Sequence, residues 1–280
     1  DSMFNFNLSV KIYRSIDMKY AVVTGASSGM GLEFARQLAE RKYGIVIVSN
    51  QLEENRRGAE MLRRQNQVDV RVIDMDLTLP KAAEDIYQQV TSWELEVEVL
   101  VSNAGMLLFS TLERTSLERL DRIIALHCTT PVKLIRLFGE EMLKRRKGYV
   151  LITSSSTAWM PYPTISHYAA TKAFLKSFSR SIWYEFRRYG VGVTVLFPGA
   201  VDTPLYQLDD RKRKWFRRLG MMQTPRQTVS TALKALFRKQ HRCVPGFFTK
   251  LTVGLCALAP AWALLPVLKI PVLKRLLDKV

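Results

Sequence analysis

Short apolar runs alternate with longer amphipathic stretches along this chain. The runs at 19–24, 44–49, 69–73, 97–102, 149–154 and 191–197 are rich in Val and Ile and have the length of buried strands. Between them, apolar positions recur at helical spacing over 29–42, 52–65, 80–92, 115–145 and 166–189. Strict alternation of the two patterns predicts an α/β fold, a doubly wound parallel sheet with helices on both faces. Ligands of such sheets bind beyond the carboxyl ends of the strands. Gly25, Asn103, Ser155 and Pro198 each follow a predicted strand, so the pattern gathers them along one edge. With 280 residues and no repeats or low-complexity linkers, the chain is compatible with a single domain.

That edge carries chemistry. The first run feeds Thr24-Gly25-Ala26-Ser27-Ser28-Gly29-Met30-Gly31, three glycines at a 1-5-7 spacing ahead of a helical pattern. Glycine permits a tight turn and lets backbone approach a pyrophosphate, which settles among the free N–H groups of a helix N-terminus. Tyr168 and Lys172 are four residues apart, which on a helix puts them on one face with Cβ atoms about 5–6 Å apart. A phenol, with a pKa of about 10, is a poor acid or base at neutral pH, and a neighbouring ammonium favours its phenolate. Ser155 lies thirteen residues upstream and adds a hydroxyl able to hold a carbonyl oxygen. Its neighbour Ser154 remains the alternative.

In these motifs the chain resembles the short-chain dehydrogenase/reductase family, of the hydroxysteroid dehydrogenase, 3-ketoacyl reductase and 3-ketosphinganine reductase type. The glycine segment matches the family's TGxxxGxG, and Ser102-Asn103-Ala104-Gly105 matches its NNAG with the first Asn replaced. Ser155, Tyr168 and Lys172 fall on its catalytic positions, and Pro198-Gly199-Ala200-Val201-Asp202-Thr203 on the segment that flanks the nicotinamide. The resemblance implies a Rossmann fold and hydride transfer between a nicotinamide cofactor and a ketone or secondary alcohol. Tyr168 is then the general acid/base, Ser155 holds the substrate oxygen, and Lys172 favours the phenolate and binds the nicotinamide ribose. The implied cofactor contacts are Gly25, Ser27, Ser28, Gly29, Met30, Gly31, Asn50, Asp76, Leu77, Asn103, Ala104, Gly105, Tyr168, Lys172, Pro198, Gly199, Val201 and Thr203, with Asp76 at the adenine. The corresponding division of the chain is an extension (1–17), a dinucleotide-binding and catalytic core (18–205), a substrate flap with the last core elements (206–250) and a hydrophobic, basic tail (251–280).

One departure bears on the proton path. Where the family often has an Asn within a relay tetrad, an ungapped count back from Gly148 gives His127, so the tetrad is altered. Imidazole can donate and accept, and His127 is a candidate for holding a relay water, against the plainer reading of a packing residue. His167 and His241 read as structural or exposed, and no grouping points to a metal. Cys128, Cys243 and Cys256 show neither a metal pattern nor a disulfide framework, which fits a reducing, cytoplasmic setting. Residues 1–20 contain no continuous apolar stretch of the signal-peptide type. The tip of the second strand, Val48-Ser49-Asn50-Gln51, lacks the acid that would select a free ribose 2′-hydroxyl, and this favours NADP(H) over NAD(H). Arg56 and Arg57 could reach a 2′-phosphate or lie on a solvated face.

Charge and hydropathy add partners. Forty-two Lys and Arg against 25 Asp and Glu give a net charge of +17. The densest block, Arg211-Lys212-Arg213-Lys214-Trp215-Phe216-Arg217-Arg218, suits an anionic membrane interface, a phosphate-bearing carrier or plain solvation. Nucleic acid is not expected, because no recognition motif accompanies the enzyme-like site. The uncharged stretch 251–268 is near the lower length limit for a span, but Pro260 and Pro266 interrupt it, so a surface-lying or re-entrant element is expected, with peripheral membrane association. A cleft bordered by Trp159, Met160, Leu205, Tyr206, Trp215 and Phe216 suits a long acyl chain, a sphingoid ketone or a steroid. A keto-lipid reductase is the first reading and a hydroxysteroid dehydrogenase the second. A weakly catalytic scaffold that retains the fold is the third. By analogy with the family a homodimer or higher homo-oligomer is expected, with Leu134, Leu137 and Phe138 facing either a partner or their own core.

Overall fold

In the computed structural model, residues 18–107, 109–159, 164–203 and 222–258 are described. Six strands and a short edge strand form one parallel sheet: β1 (Tyr20–Thr24), β2 (Gly44–Ser49), β3 (Val70–Asp74), β4 (Val97–Ser102), β5 (Tyr149–Thr153), β6 (Gly192–Leu196) and β9 (Arg242–Cys243). Their order is β3-β2-β1-β4-β5-β6-β9, so the winding reverses between β1 and β4. A two-residue pair, β7 (Ala200–Val201) and β8 (Met222–Gln223), lies apart from the main sheet. Helices α1 (Gly29–Glu40), α2 (Leu52–Asn66), α3 (Ala82–Ser92), α4 (Leu117–Ile124), α5 (Thr130–Arg145), α6 (Ser166–Arg187) and α7 (Pro225–Phe237) flank it, and α8 (Phe247–Leu258) follows.

The period of two along the strands sorts the core into two halves. Ala21, Val23, Ile45 and Ile47 pack against Phe34 and Leu38 of α1, Leu62 of α2 and Leu233 of α7. The alternate residues Tyr20, Val22, Val46 and Val48 pack with Ile86 of α3, Phe138 of α5 and Ile182 of α6. Both faces are covered, which is why these strands read as continuous apolar runs. Leu134 and Phe138 are buried in this core and Leu137 packs against it, so these three serve their own subunit's interior.

One predicted element is divided. The helix expected over 115–145 runs as α4, then a wider π turn at Ala125–Thr129, then α5. Pro131 supplies the reason. It has no N–H to close on the carbonyl four residues back, that of His127, and its ring crowds that carbonyl. Instead the Thr130 N–H bonds to the Ala125 carbonyl, five residues back. The tail also takes a definite form where it is described. α8 is described as far as Leu258, and no described helix is long and apolar enough to cross a membrane.

Candidate active site

The carboxyl ends of β1 to β4 face a cleft of about 330 Å³ lined by the glycine turn, Asn50, Asp76, Leu77, Asn103, Ala104, Gly105 and Thr203. It continues past Met30, Asn103, Gly105, Met106 and Thr203 into a recess of about 60 Å³. Ser155, Tyr168, Lys172, Pro198, Gly199 and Val201 line that recess. Every described residue expected to touch a cofactor therefore borders one of two connected spaces.

The glycine turn is shaped for close approach. Gly25 and Gly29 have φ of 66° and 55°, a region that disfavours residues with a Cβ. A Cβ on Gly31 would fall 2.0 Å from the Gly25 carbonyl oxygen, so α1 lies flush on the turn. Ser28 at the N-cap makes no side-chain cap bond, and the first amides of α1 are left to face the cleft. Thr24 ties this turn to β4. Its hydroxyl accepts the Asn103 and Ala104 N–H groups at 2.9 and 3.1 Å, and Asn103 Nδ2 donates back to the Thr24 carbonyl at 3.3 Å.

Beyond the end of β3, Asp76 accepts both the Thr78 N–H (2.9 Å) and the Thr78 hydroxyl (2.8 Å), and pairs with Arg122 of α4 at 3.2 Å. Burial works to raise this carboxyl, but the two Thr78 bonds and Arg122 outweigh it and hold its pKa below the usual value. Arg122 and Leu126 line the cleft without any sequence signal that marks them. At the β2 tip, Ser49 and Asn50 line the cleft with no carboxylate, whereas Arg56 pairs with Glu53 on the exposed side of α2.

Around the recess the packing separates the two candidate serines. Ser154 is buried and donates its hydroxyl to the Lys172 carbonyl at 2.7 Å, pinning α6 to the end of β5. Ser155 accepts the Thr157 N–H at 3.2 Å and lines the recess beside Tyr168. Lys172 donates from Nζ to the Thr153 carbonyl at 3.0 Å, and Nζ lies 5.6 Å from the centre of the Tyr168 ring. Burial pushes the Lys172 pKa down to about 8, with Cys128 opposing weakly.

His127 sits on the π turn, 1% exposed. Its Nε2 accepts the Met106 N–H at 3.0 Å, and its Nδ1 lies 2.9 Å from the Thr171 hydroxyl. Its ring meets that of Tyr168 edge-on, 5.6 Å between centres. Of the expected cleft border, Trp159 packs edge-on against Phe197, between Lys176 and Arg242. Met160, Leu205, Tyr206, Trp215, Phe216 and the basic block 211–218 lie outside the described residues.

The sequence profile of the short chain dehydrogenases matches residues 19–214. The chain belongs to that family. Among curated relatives of this short-chain dehydrogenase, the mouse 17-beta-hydroxysteroid dehydrogenase type 3 is 34% identical over 191 residues, 67% of this chain and 61% of the relative. A very-long-chain 3-oxoacyl-CoA reductase of Pyricularia oryzae is 32% identical over 219 residues, 76% of this chain and 63% of the relative. The chain thus spans about three fifths of the length of these two relatives. Among solved structures, a short-chain dehydrogenase from Sphingobium yanoikuyae in complex with NADPH superposes with a TM-score of 0.73 at 23% identity, covering 87% of this chain and 97% of the other. That likeness establishes the Rossmann-like sheet as the family's fold.

Proposed function

We propose that this short-chain dehydrogenase is an NADP(H)-dependent reductase of ketones on hydrophobic, lipid-like molecules of the 3-ketoacyl or 3-ketosphinganine type. The observation that carries the reading is the convergence of Ser155, Tyr168 and Lys172 on one recess opening from the glycine cleft. The cleft residues fit a dinucleotide: Gly31 lets α1 pack flush on the glycine turn, the first turn of α1 offers free amides, and Asp76 would stand at the adenine end. When bound there, the cofactor supplies or accepts the hydride.

The protein's own part is proton handling and orientation. The Ser155 hydroxyl donates to the substrate oxygen and holds the carbonyl near Tyr168. Tyr168 passes its proton to that oxygen as negative charge develops on it. The Lys172 ammonium stabilises the phenolate that remains. NADP(H) is favoured by Ser49 and Asn50 at the β2 tip, where no carboxylate would repel a 2′-phosphate. The 3-oxoacyl-CoA reductase relative supports a keto-lipid substrate. The hydroxysteroid dehydrogenase relative favours a steroid ketone as the second reading. Exposed Leu117 and Ile124 on α4 with Phe174 and Tyr184 on α6 support a homodimer through those helices. Exposed Phe247, Leu251, Leu255 and Leu258 on α8 support peripheral membrane attachment.

The test is turnover of 3-ketoacyl thioesters, 3-ketosphinganine and steroid ketones with NADPH or NADH, followed at the nicotinamide absorbance band. NADPH and a keto-lipid are expected to give the highest kcat/KM. Tyr168→Phe is expected to lower kcat by about a thousandfold with cofactor affinity retained. No turnover of any ketone, or an unchanged rate in Tyr168→Phe, would refute the reading.

A further inference from the structure

His127 occupies a position where every polar atom of its ring has a protein partner. Because Nε2 accepts the Met106 N–H, that nitrogen carries no proton. The Thr171 hydroxyl gives its hydrogen to the Tyr168 carbonyl at 2.8 Å, so toward His127 it can only accept. The ring proton is therefore on Nδ1, and the imidazole is neutral. Two links result. One runs to the Gly105–Met106 backbone that floors the cleft, where a Cβ on Gly105 would lie 3.1 Å from Nε2. The other runs through Thr171 to the turn of α6 that carries Tyr168 and Lys172.

We propose that His127 is a positioning residue that braces the Tyr168 turn of α6 against the Gly105–Met106 floor. This inference rests on Tyr168 as the general acid. It assigns the ring a role other than holding a relay water, since both nitrogens are engaged by protein groups. A proton added to Nε2 would set two donors face to face, at Met106 N–H and the imidazolium, and open the brace. Burial opposes that proton first, and Lys172 and His167 of α6 oppose it further, so the pKa is held well below the usual imidazole value. Cys128 lies next to His127 on the same π turn, and its thiol is pushed up by burial. Among the described residues, neither the partners nor the charged groups facing the ring include a carboxylate.

The experiment separates the two links. His127→Gln extends an amide toward Met106, His127→Asn reaches only as far as Thr171, and Thr171→Val removes the second link from the other side. Each is expected to lower kcat about tenfold, and His127→Leu about a hundredfold, with KM for ketone and NADPH affinity within twofold of the parent. The pair His127→Gln with Thr171→Val is expected to be non-additive, because both remove the same link. The acid limb of kcat/KM is expected to vanish in His127→Gln. Parent-like kcat in a folded His127→Leu or His127→Gln would overturn the proposal, as would strict additivity of the pair. Tyr168→Phe is assayed alongside. If it retains full turnover, the general-acid reading falls and the brace with it. If it is inactive while the His127 variants are unaffected, the brace alone falls.

Discussion

A buried ammonium is an expensive group to hold, and Lys172 is held with its pKa pushed down to about 8. In the proposed mechanism its charge is needed when the Tyr168 phenolate forms, so reductive kcat/KM is expected to fall as pH rises through about 8. A profile flat to pH 9.5 would contradict the role given to this amine. The stability sign is the reverse. With the folded pKa below the unfolded one, the unfolded chain binds more protons between about pH 8 and 10, and this group's contribution to stability grows with pH across that window. At this scale the sequence is legible where chemistry is local. The glycine turn and the Tyr168–Lys172 spacing declare themselves, whereas the division of labour between Ser154 and Ser155 does not. It depends on Ser154 reaching the Lys172 carbonyl, eighteen residues along the chain. Arg122 is likewise illegible, because its meaning comes from Asp76 on a different element.

Among the elements, α7 shows how local signals hold a distant one in place. Thr224 accepts the Gln227 N–H while the Gln227 side chain accepts from the Thr224 N–H, and Pro225 starts the helix. Thr224→Ala is expected to cost about 1 kcal/mol and lower Tm by about 2–4 °C, measured by thermal unfolding. A loss of less than a tenth of that would mean the cap bonds are absent in solution. The stripe Val229, Ala232, Leu233 and Leu236 then seats α7 on the sheet. Strand positions follow directly from composition, since buried parallel strands have no polar face to blur them. The interruption between α4 and α5 follows from Pro131, though its width and its placing of His127 depend on tertiary contacts with Met106 and Thr171. β7, β8 and β9 are two residues each, too short for any periodicity to mark.

For the molecule as a whole, charge is unevenly divided. Residues 211–277 contain fifteen Lys and Arg and no Asp or Glu, while the remainder is nearly balanced. α8 lies within that stretch with Phe247 and Leu258 more than 80% exposed. Co-sedimentation with vesicles of phosphatidylglycerol and phosphatidylcholine is expected, weakening as salt is raised and lost in Leu251→Glu with Leu255→Glu. Binding equal to that on neutral phosphatidylcholine vesicles would refute electrostatic attachment. α8 is also seated against the recess, since a Cβ on Gly199 would lie 2.4 Å from the Thr249 hydroxyl. A chain cut after Gly246 would keep every recognisable catalytic motif and still lose the packing that backs Gly199, a residue lining the recess. The last described helix is thus a buttress for the proposed site, however little its own sequence speaks of catalysis.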